Sequence, residues 1–132
     1  MRYKVFILLN NIVMGKFKEL LVWQRAKDLA VYIYKMSRDG ELSKDYGLRD
    51  QMRRAAVSIP SNIAEGDELD TNKQAVKHFY YSKGSSAELL TQTIIAYEVG
   101  FISHEELMDI ENECLSISRM LQKLILARRG WV

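Results

Sequence analysis

A single proline, Pro60, stands in a chain of 132 residues, so long stretches run without a backbone breaker. Through those stretches apolar residues recur three and four positions apart, which lines up one face of a helix. The first such segment covers residues 17–36, with Val22, Trp23, Ala26, Leu29, Ala30, Ile33 and Tyr34 as its stripe and Asp39-Gly40 as the stop beyond it. The second covers 45–65, with Leu48, Met52, Ala55, Ile59 and Ile63 on one face. Pro60 lacks an N–H and its ring crowds the carbonyl of Ala56, so this helix is predicted to kink there. Gly66 is predicted to end it, and Val57 and Pro60 to face outward. The third segment covers 72–99, with Val76, Phe79, Tyr80, Ala87, Leu90, Ile94 and Tyr97 as the expected inner face. Gly84 interrupts it at a cost of about 1 kcal/mol relative to alanine, for which close approach of a neighbouring helix would be one compensation. The fourth covers 104–129, with Leu107, Ile110, Cys114, Ile117, Leu121 and Leu124 inward. Thr71 with Gln74, and Ser103 with Glu106, have the spacing of capping boxes. No strand pattern competes. Short connections make successive helices antiparallel neighbours, so the expected fold is all-α: an up-down-up-down antiparallel four-helix bundle over residues 17–130, kinked at Pro60.

Residues 1–16 read as an extension, with Met14 as an alternative start. Their apolar runs are split by Asn10 and Asn11 and fall short of the ~20 residues that span a bilayer. They also lack a small-residue cleavage site. With one cysteine in the whole chain, these features lead to a cytoplasmic expectation with no membrane partner.

The composition, 48% hydrophobic and 27% charged with a net charge of +2, excludes a polycationic tail and a disulfide framework. His78 and His104 have no second histidine or cysteine at helical spacing, so neither a metal nor a cofactor is expected. Cys114 lies on an apolar stripe and reads as a small buried hydrophobe. Gln51, Arg54, Ser58, Asn62 and Glu65 form a polar seam on the second helix, and Glu88 lies on the third. Such a seam is either a hydrogen-bonded network that fixes register or a ligand groove; an enzyme would use Glu65, Glu88, Ser58 and Asn62 there. Charge is uneven: residues 1–66 carry 12 Lys/Arg against 7 Asp/Glu, and residues 67–132 carry 7 against 10. Arg25, Arg49, Arg53 and Arg54 sit on the basic half and are the candidate phosphate contacts. The alternatives are a solvated face and a surface that meets an acidic neighbour.

The run Tyr46-Gly47-Leu48, Asp50-Gln51 and Arg53 through Gly66, with Arg-Arg-Ala-Ala-Val-Ser-Ile-Pro-Ser-Asn-Ile-Ala-Glu-Gly in full, resembles a known signature. Its marked positions are Gly47, Gln51, Ser58, Pro60, Asn62, Glu65 and Gly66. Phe17-Lys18-Glu19-Leu20 with Val22-Trp23-Gln24, and Lys83-Gly84-Ser85 with Ala87-Glu88-Leu89, agree with it and add Gly84 and Glu88. The chain is similar over residues 16–127 to the four-helix bundle family of 23S rRNA intervening-sequence, or S23-like, proteins. The resemblance implies a bacterial or phage protein, a left-handed bundle and a homo-oligomer, often a pentamer. It also implies kinship with the accessory variability proteins of diversity-generating retroelements, which bind a reverse transcriptase and nucleic acid, RNA or DNA. The sequence departs from the family at Asp67-Glu68-Leu69-Asp70, at Ser86 and Thr93 where leucine is usual, and at Leu90 where glutamate is usual. The function expected is therefore a non-enzymatic oligomeric adaptor contacting structured RNA, the alternative being a scaffold that binds protein alone.

Overall fold

The computed structural model describes residues 15–69 and 71–130; the extension and the start at Met14 lie outside the described residues, apart from the turn that begins at Gly15. A 3-10 turn at Lys16–Glu19 leads into α1 (Leu21–Met36). Then follow a one-turn helix α2 (Gly40–Lys44), α3 (Tyr46–Glu68), α4 (Asn72–Glu98) and α5 (His104–Arg128). There is no strand among the described residues, and none of their helices is long and apolar enough to cross a membrane.

The starts of α3, α4 and α5 are explained by their own residues. Asp45 accepts from the Leu48 N–H at 3.0 Å, and Thr71 accepts from the Gln74 N–H at 3.2 Å. Ser103 and Glu106 form both bonds of the capping box. After α4, Gly100 takes φ +83°, the Phe101 N–H bonds the Ala96 carbonyl at 2.8 Å, and the Gly100 N–H bonds that of Tyr97 at 2.9 Å. This closes the helix end in the pattern that glycine makes cheap.

The four long helices form a ring, α1 against α3, α3 against α4, α4 against α5 and α5 against α1. Ala26, Ile33, Met52, Ile59, Ile63, Phe79, Leu89, Ile110, Ile117, Leu121 and Ile125 fill its centre. Contacts across the helix pairs run in order: Ser37 with Arg53 and Gly15 with Glu68, Ser58 with Ser85 and Asn62 with His78, Lys83 with Gln122 and Ser86 with Cys114, Arg25 with Glu113 and Tyr32 with Asp109.

Several sequence expectations are corrected. Residues 17–19 form the 3-10 turn rather than the start of α1, with Phe17 edge-on to Trp23 at 5.1 Å. The short α2 was not expected. Gly66 does not end α3, which runs on to Glu68; it is buried within the helix, where a side chain would strike Phe79 and Ala75 of α4. Pro60 is buried rather than outward-facing, while Val57 is exposed as expected. Tyr34 is 41% exposed rather than part of the inner stripe.

The largest difference concerns α4. Its inner face is Ala75, Val76, Phe79, Ser82, Ser86, Leu89, Gln92, Thr93 and Ala96. Tyr80, Ala87, Ile94 and Tyr97 point outward, and Leu90 is half-buried. The inward hydroxyls are satisfied: Ser82 donates to the Ile59 carbonyl at 2.9 Å, Ser86 to the Cys114 carbonyl at 3.3 Å and Thr93 to the Leu89 carbonyl at 2.8 Å. Once its hydroxyl is bonded, such a residue packs as a small apolar group. Gly84 has nothing within 4 Å of where a Cβ would stand, so no helix among the described residues approaches it closely.

Candidate functional surfaces

The polar seam of α3 meets α4 as a continuous chain of hydrogen bonds. Ser85 Oγ donates to Ser58 Oγ at 2.9 Å, and Asn62 Nδ2 donates to Ser58 Oγ at 3.0 Å and to the Ser58 carbonyl at 2.9 Å. His78 Nδ1 lies 3.3 Å from Asn62 Oδ1 and 3.7 Å from Glu65, with its ring edge-on to Tyr81 at 5.5 Å. An open groove lined by Ser58, Asn62, Tyr80, Tyr81, Gly84, Ser85 and Glu88 lies over this chain. His78 contacts Asn62 and Glu65 rather than Ser58, so no base is aligned on the serine hydroxyl. The arrangement fixes the register of α3 against α4 through paired polar groups. Gln51 and Arg54 sit on the exposed end of the same seam. Gly47, also exposed, opens α3 beside the Asp45 cap.

The four candidate arginines are not gathered onto one surface. Arg25 forms an ion pair with Glu113 of α5 and lies in a groove with Asp28, Tyr32 and Asp109. Arg53 donates from Nε to Ser37 Oγ at 2.8 Å and lies over the Tyr34 ring at 4.7 Å. Arg49 donates to the Ser43 carbonyl at 3.1 Å and to Asp50 at 3.0 Å, and lies over the Tyr46 ring at 4.7 Å. Arg54 is exposed next to them. Arg49 and Arg53 therefore pack about the corner made by the end of α1 and α2, while Arg25 lies roughly two to three turns back along α1. The charge imbalance between the chain halves does not become two faces, because Arg25 of the first half pairs with Glu113 of the second.

A basic groove went unrecognised in the sequence. Asn72, Lys73, Val76, Lys77 and Tyr80 of α4 line it with Arg128 and Arg129 at the end of α5. The available signal was Lys73, Lys77 and Tyr80 at helical spacing, with Arg128 and Arg129 at the end of the last helix.

Two groups titrate unusually. Burial, then the charges of Asp109 and Glu106, push the Tyr32 phenol up to about 12; it donates to Asp109 at 3.4 Å. The unfolded chain ionises this tyrosine first, near 10, so its contribution to stability is whole below about pH 10 and is lost as pH rises toward about 12. Between those values stability is expected to fall more steeply for the wild type than for Tyr32→Phe in denaturant titrations; equal slopes would contradict the assignment. Burial pushes the Cys114 thiol up to about 11, which leaves it a poor nucleophile at neutral pH. Among the described residues no three His, Cys, Asp or Glu side chains converge as a metal site.

Fold and surfaces together define a helical bundle whose conspicuous polar residues hold helix to helix and whose outer faces carry the unexplained chemistry. The chain belongs to the 23S rRNA-intervening sequence protein family, whose model matches residues 18–123. It is similar to a crystal structure of a protein with unknown function from the S23 ribosomal protein family from Bacteroides thetaiotaomicron, with a TM-score of 0.73 and 20% identity. That similarity covers 80% of this chain and 98% of the other, and it supports the fold alone. No curated protein matches the chain.

Proposed function

We propose that the protein is a non-enzymatic adaptor: an up-down-up-down bundle, bent at Pro60, that assembles with copies of itself and contacts structured RNA. The observation that carries this reading is the second stripe on α4. One side of α4 fills the bundle with Phe79, Leu89 and Ala96. The other presents Gly84, Ala87, Ile94 and Tyr97, with Ile95 and Val99 beside them. A helix that is apolar on both sides gains from being covered on both. Gly84 and Ala87 leave room for a neighbouring backbone, a compensation that Gly84 does not find among the described residues. Opposed helix directions are supported by the order of the cross-helix contacts, and a pentamer by the family resemblance.

RNA contact is supported by Arg49, Arg53 and Arg54, two of them laid over tyrosine rings. A family described by an intervening sequence of 23S rRNA favours RNA as the polyanion. A purely protein-binding scaffold, such as a reverse transcriptase accessory protein, is favoured by one observation: Arg25, Arg49 and Arg53 are each already engaged within the chain.

Ala87→Arg with Ile94→Asp places charge on the outer stripe without touching the core. Light scattering of this variant is expected to give the 15.3 kDa of one chain, with helical circular dichroism retained. An assembly of undiminished mass would overturn the proposed interface.

A further inference from the structure

The groove between the start of α4 and the end of α5 is separate from the arginine corner, and its composition is that of a phosphate-binding surface. Lys73, Lys77, Arg128 and Arg129 line it with Asn72, Val76 and Tyr80, and no carboxylate does among the described residues. Its volume of 500 Å³ is in the range of clefts that hold small ligands. Two of the acidic residues before it, Asp67 and Glu68, are engaged elsewhere. Asp67, 9% exposed at its side chain, pairs with Arg128, and Glu68 accepts from the Gly15 N–H at 2.7 Å. Arg128 is thereby fixed, with its guanidinium 5.4 Å from the Phe79 ring centre. Arg129 lies over the Tyr80 ring at 5.3 Å, and Lys83 approaches the same ring at 5.9 Å. Lys77 approaches Tyr81 at 5.9 Å. The two tyrosines are 40% and 50% exposed.

Cations that track a groove beside exposed aromatic rings are the arrangement by which proteins hold single-stranded nucleic acid. The lysines and arginines neutralise phosphates, and the rings offer stacking surfaces to bases of any sequence. A duplex keeps its bases stacked inside and cannot use those rings. We infer that this groove binds a single-stranded stretch of RNA through its phosphate backbone, with Lys73 and Lys77 as phosphate contacts and Tyr80 as the stacking platform. The inference rests on the reading that the protein contacts RNA, and adds a site that reading does not contain.

The test measures fluorescence anisotropy of a labelled 20-nucleotide oligouridine, and of a duplex RNA of equal length, across a salt series. The full-length protein is compared with Lys73→Ala/Lys77→Ala and with Arg49→Ala/Arg53→Ala. The lysine variant is expected to bind the single strand at least about tenfold more weakly, with a salt slope shallower by about 1.4, the loss of two contacts. Both lysines are exposed on α4, and unchanged circular dichroism separates this loss from misfolding. Unchanged affinity and slope in the lysine variant, or preference for the duplex, would overturn the site while leaving RNA contact at the arginine corner standing. Absence of binding by the wild type to either RNA would overturn both.

Discussion

Valine in place of Gly66 is expected to lower the stability of the fold by about 3 kcal/mol, among the largest effects open to a single surface-neutral change. The cause is geometric. A Cβ at residue 66 would stand 2.9 Å from Phe79 Cε1, 3.0 Å from the Ala75 carbonyl oxygen and 3.1 Å from His78 Cβ. Phe79 is fully buried and the Ala75 oxygen belongs to the α4 backbone, so neither can step aside without moving a helix. Alanine is expected to cost less than valine, because part of the clash is offset by the ~1 kcal/mol that alanine gains over glycine in a helix. Gly84→Ala supplies the control. Nothing lies within 4 Å of its Cβ position, so in the Ile94→Asp background, where the outer stripe is uncovered, it is expected to raise stability by about 1 kcal/mol. Urea titrations of the three variants decide the matter. Gly66→Ala and Gly84→Ala shifting stability equally and upward would remove the close approach of α3 and α4 from the account.

Arg128→Met is expected to cost about 2–3 kcal/mol, or a fall of roughly 10 °C in Tm. Methionine keeps apolar cover on Phe79 but withdraws the partner of Asp67, whose side chain is only 9% exposed. A buried carboxylate without its counter-charge is what makes the loss large. Asp67→Asn added to Arg128→Met is expected to recover part of the loss, so the double variant should be more stable than the sum of the singles predicts. Strict additivity in thermal unfolding would show that the pair is not a coupled unit.

Much of the framework was legible from residue spacing alone. Val22, Ala26, Leu29 and Ile33 on α1, Met52, Ala55, Ile59 and Ile63 on α3, and Ile110, Cys114, Ile117 and Leu121 on α5 are buried as their period requires. Where spacing failed, hydrogen bonding was the reason. On α4 two stripes obey the same period, and hydropathy selects Ala87, Ile94 and Tyr97 over Ser82, Ser86 and Thr93. The serines and the threonine go inside because carbonyls of Ile59, Cys114 and Leu89 accept their protons. Gly66 has the spacing of a helix end, yet its small volume serves inside α3, where it lies against Phe79 and Ala75 of α4. The candidate surfaces were less legible still. Charge counted along the chain cannot show that Arg25 will meet Glu113, nor that Lys73 and Lys77 will stand beside Arg128 and Arg129 from the far end of the sequence.

The outer stripe of α4 is the part of the molecule on which the adaptor reading depends, since it is apolar and, among the described residues, exposed. Multi-angle light scattering of the unmodified protein at neutral pH and moderate salt tests it most directly. A single species whose mass is a multiple of the 15.3 kDa chain is the expected result. A species of 15.3 kDa that persists as concentration is raised would contradict it.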